Sequence, residues 1–325
     1  MSQKILSLCI PTYNREEQLK RLLDSIVTQK WFTDEVEIVI ADWPSKDGTT
    51  SLIHHYQKQY KNIRYYRNEK NIWMTAAFLE VIGYSEGKYT WLIGSDDQLS
   101  TFSLETLLPL LKKEDPKLVL SNLFFYKEDS ELKNLSALNS YHSFDGFEDL
   151  SQFMWSPSYN KDRTWFEQHF TFISVFCFET KFYQDSLALV IKDKGEEYIN
   201  GHYFNFAVIV YYALQKGKIL LFDDFFVLVK ASNVCMWKFK KKIYTDLVDL
   251  THILRKRYTL SSRFCSFQNK INRFFMTGVL LGHLGYRRIM PILEKSGFTK
   301  TKSFLLVRKI VIWFLNVVAR VSSRG

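Results

Sequence analysis

Apolar positions in the first 121 residues alternate between two periods, and the alternation predicts a βαβα chain. Residues 5–10 form a compact apolar run of strand length; Leu19, Leu22, Leu23, Ile26 and Val27 then recur at helical spacing. Asn14 with Glu17 three residues on has the acceptor-x-x-Glu pattern of a capping box, which marks a helix start. Residues 36–41 predict a second strand, and Leu52, Ile53, Tyr56 and Tyr60 line a second helix. A short strand over 63–67, a helix over 74–84 and a strand over 89–93 follow, the last rich in β-branched and aromatic residues. A helix over 104–111 and a strand over 118–121 continue the series. This order implies an α/β fold: a mostly parallel sheet with helices on both faces.

Beyond residue 121 the pattern weakens. Residues 127–165 are polar and aromatic, contain Pro157, and predict a long loop or an irregular subdomain. Residues 172–178 predict a strand, 204–214 a helix stopped at Gly217, and 218–222 and 226–229 two further strands. From about residue 240 the pattern is helical. Residues 303–321 are densely apolar but interrupted by Arg308 and Lys309. A membrane span needs about 20 largely apolar residues, so this segment is too short and too charged to cross. It reads either as a basic helix in the membrane interface, with Trp313 as an anchor, or as a C-terminal helix packed on the protein's own core.

Composition narrows the choice. The chain has 325 residues, 46% hydrophobic and 24% charged, as expected of one large or two ordinary globular domains. Only 13 are glycine, and neither GxGxxG nor GxxxxGK[S/T] occurs, so any bound phosphate must be neutralised by metal and basic side chains. Cys9, Cys177, Cys235 and Cys265 are far apart without zinc spacing, which suggests reduced thiols in the cytosol. The apolar run at 5–10, ended by Pro11, is too short for a secretory signal. Net charge is +10 but uneven: residues 238–325 hold 19 Lys and Arg against 3 Asp and Glu, the rest 25 against 31. A basic tail on a mildly acidic body points to an anionic partner surface, membrane or nucleic acid.

The candidate chemistry sits where strands end. The run Trp91-Leu92-Ile93 stops at Gly94-Ser95 and two carboxylates follow, Asp96 and Asp97. In open α/β sheets that edge binds ligands, and paired acids suit a hard divalent cation that shares substrate phosphates; a simple turn uses the same residues. Two earlier strands end in Pro11-Thr12-Tyr13-Asn14-Arg15 and in Asp42-Trp43-Pro44-Ser45-Lys46-Asp47-Gly48-Thr49. Loops at one edge of a parallel sheet converge. Together they offer a tyrosine to stack on a base, an aspartate to accept from a base N–H, and a metal for a diphosphate.

The three motifs in this order resemble those of the family-2 glycosyltransferases of GT-A fold. IPTYNR at 10–15, the D-x-S-x-D-G-T-like stretch at 42–49, Arg67-Asn68-Glu69-Lys70-Asn71 and Ser95-Asp96-Asp97 carry the resemblance over residues 4–121. Through Phe172-Ile173-Ser174, Gly201-His202 and Lys230-Ala231-Ser232-Asn233 it extends more loosely to about 237, and looks most like the bacterial abequosyltransferase-like subgroup of O-antigen synthesis. The resemblance implies a metal-dependent, inverting enzyme moving a sugar from a UDP-, GDP-, CDP- or dTDP-sugar to a lipid-linked glycan. It implies a nucleotide-binding half at 1–121 and an acceptor half at 122–237, while the basic, apolar composition of the extension at 238–325 points to the inner face of a bacterial membrane. Carried over by position, Tyr13 and Asp42 contact the base, Pro11 and Thr12 shape its pocket, and Arg15, Arg67 and Asn71 join the nucleotide-sugar site. Asp96 faces the ribose or the metal, and Asp97 ligates Mn²⁺ or Mg²⁺. Three departures stand out: Ser95 replaces an acid, Trp43-Pro44 enlarge the second loop, and Trp73 stands where the family has a small glycine.

Inversion requires a base for the acceptor hydroxyl. Glu197, His202 and Glu196 are the candidates, though Glu196 and Glu197 also suit the first turn of a helix. Two other classes stay open at this level. One is a nucleic-acid-binding protein using Lys238–Lys242 and Arg255–Arg257, disfavoured because no helix-turn-helix or RRM-like signature occurs. The other is a sugar-nucleotide-forming enzyme, disfavoured by the missing glycine-rich phosphate loop.

Overall fold

The computed structural model describes residues 4–69, 74–154, 172–196, 205–230 and Tyr258. Compact packing divides the chain into Met1–Lys240 and Lys241–Gly325, and the fold described here is that of the first unit.

Four strands build a parallel half-sheet: β1 (Leu6–Thr12), β2 (Val36–Asp42), β3 (Ile63–Arg67) and β4 (Tyr89–Leu92), in the order 3-2-1-4. β1, β2 and β4 are buried almost end to end, as expected of strands covered on both faces. α1 (Glu16–Val27) and α2 (Thr49–Gln59) connect the strands in one direction, and α3 (Met74–Gly83) returns the chain past β2 and β1 to β4. Right-handed crossovers place α3 on the face opposite α1 and α2. α1 buries Leu19, Leu22, Leu23 and Ile26, and α2 buries Ile53 and Tyr56. Tyr60 lies one residue past the end of α2 rather than on it.

The second half is mixed rather than parallel. The sheet continues from β4 through β8 (Phe176–Glu179), β6 (Leu118–Tyr126) and β9 (Lys218–Lys230) to β5 (Asp97–Leu99), and β7 (Tyr141–Asp145) also pairs with β9. β8 is antiparallel to β4 and β6, β5 and β7 are antiparallel to β9, and β6 and β9 are parallel. α4 (Ser103–Glu114) joins β5 to β6.

Several sequence expectations are corrected here. The described part of 127–165 is not irregular: a 3-10 turn (Asp129–Asn134), β7 and α5 (Gly146–Met154) fill it. The strand expected at 118–121 runs on to Tyr126. The strand expected at 172–178 is a 3-10 turn (Ile173–Val175) followed by β8. A helix that the pattern does not announce, α6 (Thr180–Lys194), precedes α7 (Asn205–Ala213). The two strands expected at 218–222 and 226–229 are one, β9, with a break in its register against β6 around Asn122. Asn122 caps that irregularity: its Nδ2 donates to the carbonyls of Phe222 (3.0 Å) and Asp223 (3.1 Å). Asp224 is buried there with Oδ1 accepting from the Leu138 N–H, so the acids that break the apolar pattern do not end the strand.

Candidate active site

The loops after β1 and β2 are joined by side-chain bonds before any ligand is considered. Asn14 adopts φ 50°, a left-handed conformation that asparagine tolerates better than most residues. Its N–H donates to Ser45 Oγ (2.8 Å), and its Oδ1 accepts from the Lys46 N–H (2.8 Å). Asn14 therefore does not head a capping box. α1 begins at Glu16, and Glu16 reaches across instead: its N–H donates to Asp47 Oδ2 (3.2 Å) and its Oε2 accepts from the Gly48 N–H (3.1 Å). Arg15 N–H donates to Thr49 Oγ1 (3.2 Å).

Asp42 is the hub of this assembly. It ends β2, is fully buried, and has both carboxylate oxygens engaged. Oδ1 accepts from the N–H (3.2 Å) and hydroxyl (2.5 Å) of Ser45; Oδ2 accepts from Tyr65 Oη (3.0 Å) and Thr50 Oγ1 (3.4 Å). A base N–H that reaches this carboxylate must take the place of Tyr65 or Thr50. Arg67 closes the same corner, donating to Thr50 Oγ1 (2.7 Å) and to the Ser45 carbonyl (3.3 Å). Tyr13 is exposed at 41% on the loop's outer side. Thr12 Oγ1, Trp43 Nε1 and Asn68 Nδ2 are buried there without a partner among the described residues.

The acidic pair lies at the switch point of the sheet, where strand order reverses between β1 and β4. Gly94 explains the local sequence. A Cβ there would sit 2.9 Å from Asp97 Oδ2 and 3.2 Å from Asp96 Oδ1, so both carboxylates fold over a position that only glycine leaves open. Asp97 is buried and begins β5. Ser174 holds it: the Ser174 hydroxyl accepts from the Gly94 N–H (2.9 Å) and donates to Asp97 Oδ2, while its carbonyl accepts from Trp91 Nε1 (2.7 Å). Burial, and then the neighbouring Asp96, push the Asp97 pKa up to about 7. Arg15 lies 3.8 Å from Asp96 and ties the acidic pair to the loop after β1.

Two adjacent carboxylates, one with its proton affinity raised by the other, are a donor set that a hard divalent cation neutralises. No group of three or more His, Cys, Asp or Glu converges among the described residues. A cation held by Asp96 and Asp97 therefore draws its remaining ligands from water and substrate phosphates, the usual habit of Mg²⁺-like ions. The residues fit such an ion.

The profile of the family described as "Glycosyl transferase family 2" matches residues 7–182, over half of the chain. The chain belongs to glycosyl transferase family 2. Abequosyltransferase RfbV of Salmonella typhimurium is 40% identical over 111 residues, 34% of this chain and 33% of that protein. The GalNAc(5)-diNAcBac-PP-undecaprenol beta-1,3-glucosyltransferase of Campylobacter jejuni is 28% identical over 140 residues, 40% of this chain and 42% of that one. The matched segment thus spans well under half the length of either relative. Among solved structures, S. aureus TarS 1–349 in complex with UDP-GlcNAc aligns at TM-score 0.62 and 14% identity, over 90% of this chain and 79% of that chain. Mannosyltransferase PcManGT from Pyrobaculum calidifontis, in complex with GDP-Man and Mn²⁺, aligns at TM-score 0.54 and 10% identity, over 98% and 87%. These likenesses show the fold, GT-A, and the family match places a glycosyl transferase family 2 domain over residues 7–182.

Of the sequence candidates, the structure gathers Thr12, Tyr13, Arg15, Asp42, Arg67, Asp96 and Asp97 around one sheet edge, with Pro11 paired to Ala41 just behind. Asn71, Glu197 and His202 lie outside the described residues. Glu196 is described; it directly follows Gly195 at the end of α6 and is exposed. Ser45, Thr50, Tyr65 and Ser174 were not among the candidates. Ser45, the serine of the second motif, and Ser174, in Phe172-Ile173-Ser174, stand in stretches that carry the resemblance, but neither stretch names the carboxylate it bonds; Thr50 and Tyr65 carry no signal.

Proposed function

We propose that this glycosyltransferase moves a sugar, with inversion and with the help of Mn²⁺ or Mg²⁺, from a nucleotide-sugar to a lipid-linked glycan of a bacterial surface polysaccharide. The observation that carries the reading is the meeting of Asp96 and Asp97 with Arg15 at the switch point, beside the joined loops around Asp42. The names of the relatives support the donor and acceptor classes: TarS and PcManGT are described with UDP-GlcNAc and with GDP-Man and Mn²⁺, and the Campylobacter enzyme by an undecaprenol-linked glycan.

In this reading Tyr13 stacks on the base, and Asp42 organises the pocket that Thr12, Trp43 and Asn68 line with buried polar groups. Arg15 and Arg67 counter the diphosphate charge. Asp96 and Asp97 would hold the cation, which would supply Lewis-acid stabilisation of the leaving nucleoside diphosphate when bound. Glu197, His202 or Glu196 takes the acceptor hydroxyl proton as that oxygen bonds the anomeric carbon and the bond to the diphosphate breaks. Residues 1–121 serve the nucleotide, 122–237 the acceptor, and 238–325 the anionic membrane face. No helix of the described residues is long and apolar enough to cross a membrane.

The test is thermal stabilisation by UDP, GDP, CDP and dTDP, each with and without Mn²⁺, on the wild type and Asp97→Ala. A ligand that binds only the folded state raises the midpoint by mass action. One diphosphate should stabilise, only with metal and only in the wild type. No shift with any of them would sink the donor-site reading.

A further inference from the structure

A row of three residues runs away from the acidic pair across the sheet. Asp97 on β5 is opposite Val229 on β9, and Val229 is opposite Phe125 on β6. Residues in register present their side chains to one face of a sheet, so Asp97 and Phe125 share a face. Two strand spacings separate them, roughly 10 Å. Asp97 and Val229 are buried, at 7% and 4%, and the row opens to solvent only at Phe125, 41% exposed. Phe125 is the exposed aromatic of a strand otherwise largely buried.

One segment of chain bridges both ends of the row. Ser174 bonds Asp97 through its hydroxyl, and Phe172, two residues earlier, sets its ring edge-to-face on Phe125, with centroids 5.6 Å apart at 73°. The contact fixes the Phe125 ring without covering it. The loops that carry Tyr13, Asp42 and Arg67 meet the acidic pair through Arg15 on Asp96, whereas this row leaves from Asp97 onto β9 and β6. A ring seated on Phe125 therefore does not compete with a nucleotide in those loops.

We propose that Phe125, braced by Phe172, is the platform on which a pyranose ring of the acceptor glycan stacks. The C–H face of a pyranose is apolar and packs on an aromatic ring, while its hydroxyls stay hydrogen-bonded to water or polar groups. A platform on the face of Asp97, roughly 10 Å away, is placed to present a hydroxyl of that ring or of the next sugar to the transfer centre. The inference rests on the glycosyl-transfer reading above and adds the acceptor subsite to it.

The experiment uses the full chain with Mn²⁺ and the stabilising nucleoside diphosphate. The probes are octyl glucoside, octyl galactoside and octyl mannoside, each below its micelle concentration, followed by saturation-transfer NMR. In the wild type and Phe125→Trp, ring protons of at least one probe should take up saturation. In Phe125→Ala the affinity for that probe should fall roughly fivefold to tenfold, the scale of one lost aromatic contact, while stabilisation by the diphosphate stays unchanged. The platform is overturned if Phe125→Ala binds as the wild type does, if only the octyl chains take up saturation (an apolar or lipid-facing patch), or if no probe binds the wild type. A wild type that no diphosphate stabilises would instead overturn the underlying donor-site reading.

Discussion

At the scale of single residues, Asp97 is costly to the fold. Its carboxylate is buried beside Asp96, and its pKa of about 7 lies above the 3.8 of an ordinary aspartate. The sign follows from that shift: the contribution of this group to stability is complete below about pH 4 and is lost as pH rises through about 7. Asparagine has the same shape and no charge. Metal-free Asp97→Asn should therefore gain stability relative to the wild type as pH rises from about 4 to 7, with the gain level above that, while transfer is abolished. Urea unfolding of both proteins across pH 4–8.5 checks this; a difference that does not change with pH would show that the buried acid is paired more fully than its contacts indicate. The sequence makes the position of Asp97 legible, because a run of apolar residues stops there. The hydroxyl that orients it is not legible, because Ser174 lies 77 residues away and only the tertiary fold brings it to Gly94 and Asp97. The same holds for Tyr65 and Thr50 on Asp42: each reads locally as an ordinary strand or helix residue.

At the scale of elements, the parallel half-sheet is fastened at its other end by a buried charge. Glu37, the second residue of β2, is fully buried; it accepts from Ser7 Oγ on β1 (2.5 Å), from the Glu86 N–H before β4 (2.8 Å) and from Arg64 on β3 (3.1 Å). One side chain thus joins three strands and the turn leading into the fourth. Removing the partner of a buried charge leaves that charge uncompensated, so Arg64→Ala should destabilise the protein by about 3 kcal/mol. Adding Glu37→Gln should restore part of the loss, since the amide oxygen still accepts from Ser7 and Glu86. If the double variant is no more stable than Arg64→Ala, the arginine acts by lying over the Tyr66 ring and donating to the Tyr84 carbonyl instead. Elements whose buried stripe is purely apolar, such as α1, were readable from spacing. α6 was not: it buries Thr180, Tyr183, Ser186 and Val190, a helical stripe in which three of the four side chains carry a hydroxyl. β9 reads as two strands because Asp223 and Asp224 interrupt it. Asp224 is buried against the Leu138 N–H, Asp223 is half-buried and accepts from the Ser140 hydroxyl, and the Asn122 amide holds the backbone at the break, contacts that no local pattern reveals.

At the scale of the whole molecule, charge is divided unevenly along the chain. Residues 1–237 hold 25 basic against 31 acidic side chains, and 238–325 hold 19 against 3. Juxtamembrane Lys and Arg gain about 1 kcal/mol each near an anionic bilayer, so a basic excess of this size predicts salt-sensitive binding to one. The full chain should cosediment with phosphatidylglycerol-containing vesicles at about 0.1 M salt and stay in solution with phosphatidylcholine alone. Raising salt to about 1 M shortens the screening length from about 10 Å to about 3 Å. Release at that salt would assign the binding to charge; retention would assign it to the apolar stretch at 303–321, with Trp313 seated in the interface. A chain ending at Lys240, the edge of the first compact unit, should stay in solution with either vesicle yet keep its stabilisation by a nucleoside diphosphate and Mn²⁺. Excess DNA that strips the full chain from the vesicles, with affinity falling steeply in salt, would make the basic region a general polyanion binder. Failure to bind anionic vesicles at low salt would sink the membrane reading while leaving the transferase site intact.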